Sequence, residues 1–118
     1  MFAALAMLGI ATTALAHSTV KNTVPANEAV LPASPPAVVI NFNEPARLVS
    51  VSVVHAGAPE RKLTFAPEAE ATSFTTAVPQ LEPGRNEIKW RALSRDGHPI
   101  SGTIVLTVQP ATGAAKAP

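Results

Sequence analysis

Residues 86–108 read NEIKWRALSRDGHPISGTIVLTV, and their periodicity decides the fold. Through Asn86–Ala92, the apolar Ile88, Trp90 and Ala92 alternate with Glu87, Lys89 and Arg91. Through Ile100–Val108, Ile100, Ile104, Leu106 and Val108 alternate with Ser101, Thr103 and Thr107. A period of two sorts side chains onto opposite faces of an extended strand, whereas a helix needs apolar residues every third or fourth position. The same pattern continues upstream. Ala37–Asn43 places Val38, Ile40 and Phe42 on one face, and Val49–His55 places Val49, Val51 and Val53 opposite Ser50, Ser52 and Val54. Ser18–Val24, Arg61–Phe65 and Ser73–Val78 are weaker strand candidates. Turn signals separate the runs at Pro32–Pro36, Glu44-Pro45, Gly57–Pro59, Pro67–Ala71 and Glu82-Pro83-Gly84. No stretch sustains a helical stripe, because prolines interrupt it. Seven short strands at this spacing predict an all-β, antiparallel Greek-key β-sandwich.

The composition narrows the function classes. With 118 residues the chain has room for one domain. Nine Lys+Arg against eight Asp+Glu leave a net charge of +1, which gives no basic face for nucleic acid and no polybasic membrane patch. There is no cysteine, which excludes a disulfide framework, a thiolate metal site and a cysteine nucleophile. With no tyrosine and aromatic residues at 4%, a stacking platform for bases or sugars is not expected.

Residues 1–16, MFAALAMLGIATTALA, carry no charge and end in the small-x-small pattern of a signal-peptidase site. The run is shorter than the ~20 residues of a comfortable membrane span. A short N-terminal anchor is the rival reading, and cleavage after Ala16 is the expectation. The chain then divides into a leader (1–16), a β domain (17–109) and an Ala/Pro/Gly-rich tail (110–118) expected to be disordered. Cleavage removes Met1 and Met7, the only methionines, and leaves an exported chain that begins with His17 and has no span of its own.

Two of the three histidines sit where a metal ion would find them. A histidine at a free N-terminus offers its α-amine and ring Nδ1 together, closing a six-membered chelate once the amine loses its proton. The second feature is Ser94-Arg95-Asp96-Gly97-His98-Pro99, a loop between the two best-patterned strands. A turn at Gly97 and Pro99 lets Asp96 and His98 converge. Three nitrogens and a carboxylate oxygen suit tetragonal Cu(II) and disfavour Cu(I), which prefers sulfur. Each feature also has a plain structural reading, as a chance residue at the cleavage point and as an ordinary β-turn capped by Asp96. His55, in phase with Val49, Val51 and Val53, reads as a structural histidine at a strand end.

The sequence resembles the CopC family of periplasmic copper-resistance proteins. The resemblance covers His17, Val24-Pro25, Asn41-Phe42-Asn43-Glu44, Leu81-Glu82-Pro83-Gly84 and, most specifically, Trp90-Arg91-Ala92-Leu93-Ser94 through Asp96-Gly97-His98-Pro99-Ile100-Ser101-Gly102. It implies a cupredoxin-like or immunoglobulin-like sandwich and a periplasmic carrier or buffer rather than an enzyme. It further implies one Cu(II) ion per mature chain at His17, Asp96 and His98, with Glu44 as an auxiliary position, and delivery to an inner-membrane transporter of the CopD type. Some family members hold a methionine-rich Cu(I) site near mid-chain; here Val53–Phe65 contains no methionine. Two other functions fit the same residues. One is a histidine-brace copper monooxygenase, which calls for an axial Tyr or Phe and a flat aromatic face. The other is a metal-free adhesion or assembly domain.

Overall fold

The computed structural model describes residues 19–110. The expected leader, His17 and the tail from residue 111 lie outside them. Seven strands follow one another: β1 (Val20–Val24), β2 (Ala29–Leu31), β3 (Ala37–His55), β4 (Arg61–Leu63), β5 (Ala71–Ala77), β6 (Gly84–Ser94) and β7 (Pro99–Val108). The all-β sandwich expected from the alternation is present, and none of the described residues is helical.

β3 organises the molecule. Its first part pairs with β1 through Val39–Phe42 and with β5 through Ala37–Asn41, all antiparallel. From Ala46 to His55 it pairs with β6, and at Val51–Val53 with β4. One strand therefore serves two layers: β1–β3–β5, and β4–β3–β6–β7–β2. Glu44-Pro45, expected as a turn, lies inside this strand, so Ala37–Asn43 and Val49–His55 are one element rather than two. A proline is tolerated there because the register with β5 shifts between Asn41 and Ala46, where no ladder donor is required. A strand that changes layers needs such an irregularity at its corner.

A second irregularity, between Leu48 and Ser50 against β6, changes which residues face inward. Leu48 is buried, Val49 is 53% exposed, and Val51 and Val53 are buried again. The expected face Val49–Val51–Val53 is thus corrected at its first member. The strand count stays at seven because β2 was not foreseen. It adds to the sheet parallel to β7, the one parallel pairing among the described strands, with Ala29, Val30 and Leu31 beside Leu106, Thr107 and Val108. Asn27 fixes the approach by accepting from the Val105 N–H at 2.7 Å.

The core lies between the layers. Val38, Ile40, Phe42 and Phe74 face Val51, Ile88, Trp90, Ile104 and Leu106, all buried. Phe42 meets Phe74 and Trp90 edge-to-face, with centroids 5.8 and 5.2 Å apart. Such contacts add about 0.5–1.5 kcal/mol each beyond area burial. The Trp90 ring lies over Gly102, its partner on β7, where a side chain would collide with it. The most regular ladder, Gly84–Leu93 against Pro99–Val108, runs unbroken up to the Asp96–His98 loop.

Candidate metal centre

β6 and β7 close at the pair Leu93–Pro99, and the five residues between them form a tight turn. The Ser94 N–H donates to the His98 carbonyl and the Gly97 N–H to the Ser94 carbonyl, both at 2.8 Å. Gly97 sits at φ 87°, a left-handed conformation that costs glycine little and other residues about 1–2 kcal/mol. The Ser94 side chain binds the turn together. Its Oγ accepts from the His98 N–H at 3.1 Å and donates to Asp96 Oδ1. His98 Nδ1 lies 3.1 Å from the same carboxylate oxygen.

This arrangement has chemical consequences. The Ser94 hydrogen bond holds the Asp96 carboxyl below its ordinary pKa. The His98 charge and backbone N–H groups reinforce it, against an opposing desolvation effect. The group therefore stays an anion where a metal ion would need one. A carboxylate at Nδ1 favours the tautomer that carries its proton there, leaving Nε2 as the lone-pair donor. Nε2 has no partner among the described residues, and the two side chains are 76% and 70% exposed.

Asp96 and His98 face an open cavity of about 900 Å³ that Thr19, Glu44, Ser94, Arg95 and Ile100 also line. The sequence-predicted residues Asp96, His98 and Glu44 therefore share one cavity. They do not close into a ligand set on their own: no three His, Cys, Asp or Glu side chains among the described residues converge closely enough to hold a metal ion. The cavity also receives the incoming chain. The Thr19 carbonyl accepts from the Asn43 N–H at 2.8 Å, which fixes the chain beside Glu44 and two residues after His17. Thr19 is the residue that sequence reasoning passed over, since nothing in its own chemistry distinguishes it.

His55 lies elsewhere. It ends β3 opposite Asn86, with Nδ1 3.1 Å from the Arg85 carbonyl. Asn86 and Ser94 are eight residues apart on β6, or ~26 Å of strand, so His55 takes no part in this site. Phe42, Phe74 and Trp90 are buried and Phe65 is half-buried, so no aromatic face flanks the cavity among the described residues.

The CopC domain family matches residues 20–109. Copper resistance protein C of Escherichia coli is 30% identical over 123 aligned positions, which cover 87% of this chain and 90% of that protein. Solved structures are similar too, among them the following two. CopC from Methylosinus trichosporium OB3b is 26% identical with a TM-score of 0.67, covering 80% of this chain and 96% of that one. PcoC, a methionine-rich copper resistance protein from Escherichia coli, is 28% identical with a TM-score of 0.58, covering 76% and 96%.

Proposed function

The chain belongs to the CopC family, so its function is copper-related, and from that premise we propose a periplasmic carrier or buffer for one Cu(II) ion. The ligands are the His17 amine and Nδ1, His98 Nε2 and the Asp96 carboxylate, with Glu44 in reserve at the cavity edge. The observation that carries this reading is the pre-assembled Asp96–His98 pair in a cavity also lined by Thr19. Thr19 lines that cavity, and the two residues from it back to His17 span at most roughly 7 Å of extended chain. Copper here is cargo, so an exposed site at a chain terminus suits its transfer, and the acceptor proposed is a CopD-type inner-membrane transporter.

The oxidation state follows from the donors. PcoC is methionine-rich, whereas this chain has only Met1 and Met7, both in the expected leader. Nitrogen and carboxylate donors without thioether favour Cu(II). Binding releases protons from the imidazoles and the amine, so affinity falls as pH falls.

The test is a Cu(II) titration of two forms, followed by electron paramagnetic resonance and the fluorescence of Trp90. One form begins at His17, and the other carries one extra residue before it. The first is expected to bind one tetragonal Cu(II), and the second to lose much of that affinity. Equal binding by both would remove the N-terminal amine from the ligand set. Absence of binding in both would remove the copper site itself.

A further inference from the structure

The outer surface of the β3–β6–β7 layer carries a second feature that the copper reading does not use. Ser52 stands between Lys62 on β4 and Lys89 on β6, its partners on either side. The two lysines are therefore two strand spacings apart, ~9.5 Å, and Arg91 follows Lys89 on the same face ~7 Å along the strand. All three are exposed and line one groove of about 540 Å³. Ser50, Ser101 and Thr103 supply hydroxyls between them. The one carboxylate in the groove, Glu60, accepts a hydrogen bond from Ser52, and none of the three cations has an ion-pair or hydrogen-bond partner among the described residues. In a chain whose net charge is only +1, this is a local concentration of unpaired positive charge.

The groove also runs toward the metal centre. A neighbouring cavity of about 380 Å³ shares Ser50, Arg91 and Ser101 with it and continues over Val49, Leu93 and Pro99. Val49 is 53% and Leu93 38% exposed, and Pro99 opens β7 immediately after His98. One face thus presents, in order, the Asp96–His98 loop, a small apolar patch and a cationic groove. An apolar centre flanked by charge is the composition of a protein-docking surface.

We infer that this face docks an acidic, extended segment of a partner protein, with its carboxylates in the Lys62–Lys89–Arg91 groove and an apolar residue against Val49 and Leu93. Identifying that partner as the copper acceptor rests on the function proposed above; the docking itself does not. A groove one strand spacing wide to either side of Ser52 suits a single extended chain better than a flat lipid surface, which three cations would hold weakly.

The experiment uses the isotopically labelled, metal-free protein and a short polyglutamate peptide as probe. Amide shift changes are expected at Ser50, Lys89, Arg91 and Ser101, weakening steeply as salt rises to about 0.2 M. Lys89→Glu with Arg91→Glu should weaken peptide binding at least about tenfold. Lys21→Glu, which reverses an exposed charge on β1 in the other layer, should leave it unchanged. A loss in Lys21→Glu in proportion to its charge change, about half that of the double variant on a logarithmic scale, would reduce the effect to net charge and overturn the proposal. So would binding of phosphatidylglycerol-containing vesicles through the same residues without the peptide, or no binding of either. Cu(II) titration of the same proteins reads the metal centre separately, so failure of the copper reading would show there and leave the peptide result intact.

Discussion

Gly102→Ala tests whether the hairpin that carries the Asp96–His98 loop is organised by the Trp90–Gly102 contact. A Cβ at position 102 would lie 2.5 Å from one carbon of the Trp90 ring, 2.7 Å from another and 2.8 Å from its nitrogen. Carbon atoms pack at about 3.5–4.0 Å, so the ring must move by at least ~1 Å. It has little freedom to do so, being 3% exposed and held edge-on by Phe42, itself packed on Phe74. Overpacking of this kind costs ~1–3 kcal/mol, and the upper end applies where the obstructing group is a buried ring. Gly102 does not need a left-handed backbone, so alanine also gains about 0.4–1 kcal/mol from the unfolded chain. The net loss is about 2 kcal/mol, or roughly 8–16 °C in Tm for a domain of this size. Thermal unfolding followed by circular dichroism measures it, and Trp90 emission reports the displaced ring. The loss should shrink in a Trp90→Phe background, since the smaller ring leaves room for the methyl. A Tm equal to or above that of the parent protein would refute the reasoning.

Two further substitutions test the turn and the bulge. Ser94→Ala removes the main cause of the lowered Asp96 pKa, so that pKa should rise in a carboxyl-carbon NMR titration. Because a depressed carboxylate pKa contributes stability above its unfolded value and loses it as pH falls through the folded one, the variant should show a weaker loss of stability on acidification than the parent. Val49→Ser should change stability by less than about 0.5 kcal/mol, whereas Val51→Ser should cost more than about 2 kcal/mol in urea unfolding, because only Val51 is buried. Equal losses at the two positions would contradict the placement of the bulge.

The legible parts of this fold are those where alternation runs without interruption. Asn86–Ala92 and Ile100–Val108 read correctly because each buries one face against the core and exposes the other. The phase failed at Val49 because a bulge inserts one residue, and period-two patterns carry no mark of an insertion. Pro45 misled in the same region: a residue without an N–H signals a turn unless it falls where the ladder is already broken. β2 was invisible because three residues with one inward pair of side chains do not make a pattern, and its place beside β7 is set by backbone contacts. Of the candidate site, the convergence of Asp96 and His98 was legible from the turn chemistry at Gly97. The part played by Ser94, as acceptor from one and donor to the other, needed the folded loop.

The corner of β3 explains why the N-terminal entry at Thr19 and the Asp96–His98 loop share one cavity. Three things happen within the four residues Asn43–Ala46. Asn43 holds the incoming chain through the Thr19 carbonyl, Glu44 turns toward the cavity, and Ala46 opens the pairing with β6 opposite Ser94. The strand can do all three only because it leaves one layer and enters the other at this point. A strand that stayed in one layer would pair with β1 or with β6, and the N-terminal entry at Thr19 and the hairpin loop would be on different sides of the core. The irregularity that hides β3 from a period-two reading is therefore also what places the N-terminal entry beside Asp96 and His98. In the copper site proposed above, affinity would divide between a loop already ordered by Ser94 and the two residues from His17 to the held Thr19, so few residues need fixing to close the chelate.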